Sequence, residues 1–266
     1  MLPALTALYN ANGSADEIIA IIVAQSQRAV YGPISGVSEM QLAVQEGGSA
    51  GALERIVRNL EEEIVLGRLK PRERLLEEEL AKHFGAKRHI IRAALAELET
   101  MGIVVRQPNR GAAVRDFSAK EVAQIYEVRE LLESHAALIM PLPAPSELVG
   151  DLKAIHDRHS RAVDENDFRT VFRENLQFHR VLFMACGNPY LAEQINQLAS
   201  RAHAIRFHSI TDPLLLNRAR EEHGQMIAYL EKGTRAQLVE LVAAHINPSK
   251  DAYLRLAGSQ WRSAFP

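Results

Sequence analysis

Apolar residues recur at helical spacing along most of this chain, and one short stretch breaks into strands. Leu53, Ile56, Val57, Leu60 and Ile64 form the stripe of a first helix over 53–66, with Glu61, Glu62 and Glu63 expected to face water. Gly67 ends it and Pro71 breaks the chain. Glu77, Glu78 and Glu79 then open a short helix, where the macrodipole favours acids. Leu80, Ala81 and Phe84 share one face of it, and Gly85 can close it in a left-handed turn. A second helix begins near Lys87, with Ile91, Leu95 and Leu98 on its buried side and Lys87, Arg88, His89 and Arg92 opposite. Residues 102–106 read as a strand, 107–111 as a turn and 112–115 as a returning strand. From Ser118, which forms a capping box with Glu121, everything reads as helix. The expected spans are 119–140, 146–165, 167–186, 189–210, 214–232 and 234–256.

A short helix, a tight turn and a helix led by cations is the helix-turn-helix arrangement, and the hairpin after it is a wing. The leading residues of the second helix are those that reach base edges in the major groove. The pattern therefore predicts a mostly α protein: an N-terminal winged helix-turn-helix with a small β-hairpin wing (51–116), then an all-α six-helix bundle (117–256). Residues 257–266 read as a C-terminal tail.

The first of these segments resembles the GntR family of bacterial transcriptional regulators. The family's Pro-Gly-x-x-Leu lead-in stands here as Pro71-Arg72-Glu73-Arg74-Leu75. Its Ser-Arg-Thr-Pro-Val-Arg-Glu-Ala-Leu stands as Lys87-Arg88-His89-Ile90-Ile91-Arg92-Ala93-Ala94-Leu95, and its wing-tip Arg-Gly as Arg110-Gly111. The resemblance implies that Arg74, Lys87, Arg88, His89, Arg92, Arg110 and Gly111 serve DNA binding. The departures at Lys87, His89, Ile90 and Ala93 bear on which operator is read.

Charge adds little to this picture. The net charge is −2, which excludes a general polyanion binder. Residues 51–116 carry thirteen Lys/Arg against eleven Asp/Glu, so specific contacts rather than bulk charge must supply affinity. Cys186 is the only cysteine, so no internal disulfide is possible; its expected role is that of a small buried hydrophobe. No apolar run approaches a membrane span. Residues 18–24 are apolar, but Asp16 and Glu17 precede them where a signal peptide carries positive charge. A cytoplasmic protein is expected. Residues 1–50 are read either as a real appendage, such as a helix docking on the dimer, or as residues ahead of a true start at Met40; a weakly ordered or non-native extension is expected, with no assigned function.

The second half resembles the FCD ligand-binding domain of the FadR subfamily, in its six-helix VanR-like branch. The likeness rests on Arg129-Glu-Leu-Leu-Glu133, on Phe178-His179 leading to Gly187-Asn188, and on Glu222-His223 followed by His245. Imidazoles on three helices of a bundle can converge on a metal such as zinc or nickel. The resemblance implies a ligand set of one aspartate and three histidines, met here by Asn175, His179, His223 and His245. Asn175 in place of the aspartate removes a negative charge and weakens the expected hold on a divalent ion. His156, His159, His203 and His208 are read as surface or packing residues. Arg129 is the candidate anchor for a carboxylate effector, with an ion pair to Glu133 as its structural alternative; Arg173, Arg201 and Arg206 are further candidates.

The resulting expectation is a homodimeric, ligand-responsive repressor bound to a palindromic operator in double-stranded DNA, controlled by a small carboxylate held near the metal. The rival is a metal-dependent hydrolase or lyase using the three-histidine centre. No glutamate stands at a motif position for a general base, and such an enzyme would leave the DNA-binding segment without a purpose.

Overall fold

The computed structural model describes residues 49–107, 111–206 and 209–264. The expectations for residues 1–48, for Arg110 and for His208 fall outside the described residues. Helix α1 (Ser49–Val65) is followed by β1 (Arg74–Leu75), α2 (Glu77–Phe84), α3 (Arg88–Thr100), β2 (Val104–Gln107) and β3 (Gly111–Val114). The strands form an antiparallel sheet in the order β1-β3-β2, with Leu75 opposite Ala112 and Val104 opposite Val114. The expected hairpin is therefore a three-stranded sheet. The added strand, β1, has two residues, too short for any alternation to announce it.

The predicted stripes meet in one core. Ile56, Leu60, Ile64, Ile91, Leu95 and Leu98 are all essentially inaccessible. Burying each such side chain is worth about 1.5–3 kcal/mol. Gly85 closes α2 with φ 60°, the left-handed turn that sets α3 across α2. Arg72 stands at the position where the lead-in pattern has glycine, and it too adopts positive φ, 67°. Its guanidinium reaches Asp116 at 2.6 Å.

The helical half comprises α4 (Ala119–Ile139), α5 (Ser146–Glu165), α6 (Phe168–Met184), α7 (Pro189–Arg201), α8 (His203–Arg206), α9 (Pro213–Lys232), α10 (Arg235–His245) and α11 (Asn247–Ala264). The mostly α architecture is as expected, but two of the six anticipated spans are interrupted. The helix expected over 189–210 restarts at Ala202 as the single turn α8. The helix over 234–256 breaks at Ile246, because Pro248 has no N–H to give the preceding turn. The residues read as a tail continue α11 to Ala264. The Ser118–Glu121 capping box is present at the start of α4, and Cys186 is buried.

A second expectation is corrected at α1. Glu62 does not face water: it is fully buried, with Arg169 at 2.9 Å and Arg173 at 2.5 Å, both on α6. Glu61 meets His203 of α8 at 2.6 Å, and Glu63 meets Arg169 at 3.3 Å. One α-helical turn thus carries three acids that grip two helices of the other half. Three apolar partners strengthen this junction, since Ala204, Ile205 and Ile246 belong to the same core cluster as Ile91 and Leu95.

Candidate nucleic-acid interface and metal centre

Helix α3 presents its polar side to solvent. Lys87, Arg88, His89 and Arg92 are exposed, while Ile91, Ala94, Leu95 and Leu98 hold the opposite side in the core. Lys87 is the extended N-cap, and no side chain caps the helix. Ile90 and Ile91 N–H close on the Lys87 carbonyl, and the uncapped start of the helix lies beside cations, as an anion-binding terminus does. Arg88 lies 3.4 Å from Glu78, and Arg92 lies 2.8 Å from Glu77. The acids at the start of α2 thus hold both guanidiniums along α3, in exposed pairs worth at most about 1 kcal/mol each. Arg74 is exposed on β1, and Gly111 opens β3 with φ 77° at the wing.

The second site lies among the helices of the other half. His179 on α6, His223 on α9 and His245 at the end of α10 form a triangle whose ring centroids are 5.0–5.1 Å apart. One ring nitrogen from each can be chosen so that all lie within 4.8 Å of one another. Nε2 of His245 stands 3.2 Å from Nε2 of His179. Nδ1 of His245 meets Glu222 at 2.6 Å, and Glu222 is held in turn by Arg218 at 2.6 Å. That carboxylate fixes the His245 ring so that Nε2 faces the triangle. Burial, and next the charge on His245, push the His179 and His223 imidazoles well below their ordinary pKa, so both are neutral ligands near pH 7. Burial would raise the pKa of Glu222, but the hydrogen bonds from His245 and Arg218 outweigh it and keep the carboxyl below its usual value.

The donor set fits a divalent ion. Both ring nitrogens of His223 and Nδ1 of His179 are buried without a protein partner, where buried polar atoms are ordinarily paired. Asn175, one turn before His179 on α6, lines a cavity of about 80 Å³ with His159, Arg206, Glu222 and His245. Of the predicted set, His179, His223 and His245 are brought together, and Asn175 lines the same cavity as His245.

Arg129 is buried and paired with Glu133 at 2.9 Å, the structural alternative allowed for it, yet its Nη1 has no hydrogen-bond partner. Burial opposes its charge, but Glu133 outweighs burial and holds its pKa above the ordinary value. Arg206 on α8, one of the unranked candidates, lines the cavity wall together with Arg218, which is paired with Glu222. Burial, and then the charge of Arg129, depress the pKa of Arg206. Arg173 is committed to Glu62, and Arg201 is exposed beside Gly102. His159 and His203, expected at the surface or in packing, are both buried. No local pattern marks Glu222 as an orienting group or Glu62 as a clamp. The His156-x-x-His159 spacing on α5 was the available signal for a further cluster.

A winged helix-turn-helix joined to a helical domain with a cavity beside a histidine cluster defines a class of DNA-binding regulators. Two family models match: the GntR family of bacterial regulatory proteins over residues 52–114 and the FCD domain over residues 124–248. Together they take in well over half of the chain, which belongs to the GntR family of DNA-binding transcriptional regulators and carries an FCD domain. The chain is 28% identical over 189 residues to the uncharacterized HTH-type transcriptional regulator YdhC of Bacillus subtilis, covering 71% of this chain and 84% of that protein. It is 25% identical to the probable D-xylose utilization operon transcriptional repressor of Paenarthrobacter nicotinovorans, over 69% of this chain and 80% of the relative. Among solved structures, Escherichia coli McbR/YncC shares the fold, with a TM-score of 0.62 and 19% identity over 79% of this chain and 98% of that one. No helix among the described residues is long and apolar enough to cross a membrane.

Proposed function

We propose that this chain is a homodimeric repressor whose hold on a palindromic operator is released or tightened by a small carboxylate bound in the helical half, residues 117–256. Repression is named for the D-xylose relative and is carried to this chain as part of the proposal. Arg88 and Arg92 contact bases or phosphates, Lys87 and His89 flank them, and Arg74, Arg110 and Gly111 work at the wing. His179, His223 and His245, with Asn175 beside them, would hold a divalent ion. A bound ion supplies a positive charge that accepts a carboxylate oxygen. Arg129 Nη1 and Arg206 supply guanidinium donors for the rest of the anion.

One observation carries the regulatory part. Arg206, on the cavity wall, and His203, bonded to Glu61 of α1, belong to the same single-turn helix α8. A carboxylate that grips Arg206 therefore acts on an element already fastened to the DNA-binding segment. Such a ligand shifts the pose of that segment only by binding one arrangement better than the other.

The dimer is supported by α4, which exposes Val128, Leu131 and Leu138 at i, i+3 and i+10, an apolar stripe opposite its buried face. A second copy related by a two-fold axis would cover it and present two α3 helices to successive major grooves. The hydrolase or lyase alternative is disfavoured because the relatives are regulators and Glu222, the carboxylate beside the cluster, is bound to His245 and Arg218.

The test is a gel-shift titration on DNA from upstream of the chain's own gene, beside unrelated DNA of equal length. Selective retardation is expected, and Arg88→Ala should weaken it by about 1–3 kcal/mol while the fold is unchanged. Operator affinity fully retained by that variant would refute the assignment of α3. The same assay then screens small carboxylates, with and without chelator.

A further inference from the structure

The imidazole cluster extends beyond the three histidines of the first triangle. His156 and His159 are three apart on α5 and so lie on one face of that helix, turned toward α9. The His159 ring meets the His223 ring edge-on, with centroids 5.2 Å apart. One ring nitrogen from each of His156, His159 and His223 can be chosen so that all lie within 4.8 Å of one another. An ion held by three such atoms would stand roughly 2.0–2.1 Å from each, the distance nitrogen keeps from zinc.

The nitrogens at this place are unpartnered. Nδ1 of His156, Nδ1 of His159 and both ring nitrogens of His223 are buried with no hydrogen-bond partner. An imidazole has two ring nitrogens, and since both of His223 are unpartnered, one is available to each triangle. Gly224, the next residue on α9, leaves the surface flat where the His156 ring rests; a Cβ there would stand 3.5 Å from its Nε2. Two charges near the ring oppose each other, Asp157 and Arg220. Arg220 is itself engaged by Asp164 at 2.7 Å and by Asn217 at 2.6 Å, which offsets its repulsion of a cation.

We propose that His156, His159 and His223 form a second site for a borderline divalent cation, sharing His223 with the first. Three neutral imidazoles without carboxylate favour zinc, nickel or cobalt over calcium or magnesium. His156 is half-buried whereas His223 is fully buried. The second site therefore opens to solvent at its α5 edge, and a water can complete the coordination. Filling both sites at once requires His223 to release its remaining ring proton to solvent, so that each nitrogen binds one ion. This inference stands apart from the regulatory reading, because neither DNA nor effector enters it.

The experiment uses the full chain, stripped with chelator and titrated with Ni2+ by equilibrium dialysis. The variant His179→Ala/His245→Ala removes the first site; it should still take up one equivalent of Ni2+, and adding His156→Ala/His159→Ala should abolish that uptake. A folded double variant that binds no Ni2+, or a quadruple variant that keeps its ion, overturns the proposal. Circular dichroism establishes folding. Should the double variant fail to fold, the wild type should take up two equivalents and His156→Gln/His159→Gln one; equal uptake by these two proteins overturns the proposal instead.

Discussion

Replacing Glu62 by alanine removes the carboxylate that joins α1 to α6. Glu62 is fully buried, whereas Arg169 and Arg173 retain 40% and 47% of their side-chain exposure. Breaking a fully buried pair costs about 3–5 kcal/mol, and an exposed pair contributes at most about 1 kcal/mol. The two arginines left behind can turn into water, so the expected loss lies between these limits, about 2 kcal/mol. For a chain of this size that lowers the melting temperature by about 4–8 °C. Urea unfolding of Glu62→Ala, Arg173→Ala and the double variant should give a coupling of at least about 1 kcal/mol between the two positions. A Glu62→Ala protein within about 0.5 kcal/mol of wild type, or strictly additive single effects, would refute the clamp. Since α6 also carries Asn175 and His179, the same variant should keep operator affinity within a few-fold yet respond less to any effector found.

Three further outcomes follow from the site and from α4. Glu222→Gln, which loses the charge that fixes His245, should weaken binding of a divalent ion by about 10–100-fold in a chelator competition; unchanged affinity would exclude that orienting role. Chelator-stripped protein should lose stability as the pH falls through 6.5, the ordinary histidine value. Above it neither state takes up a proton; below it the unfolded chain protonates His179 and His223 while the folded form, with their pKa depressed, does not. Each proton contributes a slope of about 1.4 kcal/mol per pH unit, and a flat urea-unfolding profile between pH 8 and 5.5 would show the rings are not held neutral. Leu131→Asp/Leu138→Asp should convert a dimer to monomer in sedimentation and weaken operator binding; a variant that remains dimeric places the two-fold interface elsewhere.

The periodicity of Ile56, Leu60, Ile91, Leu95 and Leu98 made the DNA-binding core legible, because each stripe buries against its immediate neighbours in sequence. So did Gly85, whose left-handed turn has a local chemical signature. The three histidines were found through spacing that matches a family pattern, and the structure brings them together. What the sequence concealed depends on contacts between distant segments. Nothing near Glu62 indicates that Arg169 and Arg173, more than a hundred positions later, surround it, and an acidic triplet on a helix is ordinarily solvated. Strand β1 was concealed for the same reason, since its two residues become a strand only by pairing with β3. Pro248 was visible, yet the periodicity that ran across it outweighed its missing N–H.

Tyr253 on α11 has a consequence for the order in which the protein is made. Its hydroxyl donates to the Phe117 carbonyl at 2.8 Å, receives the Phe117 N–H at 3.3 Å and lies 3.2 Å from Asp116. Those residues are the joint between the wing and α4. A ribosome releases the winged segment long before it has translated Tyr253, so a nascent chain can fold its DNA-reading surface while the joint still lacks its bolt. An unfinished chain therefore lacks one of the fastenings that set the reading head against the helical half, beside the contacts made by Glu61, Glu62 and Glu63 of α1.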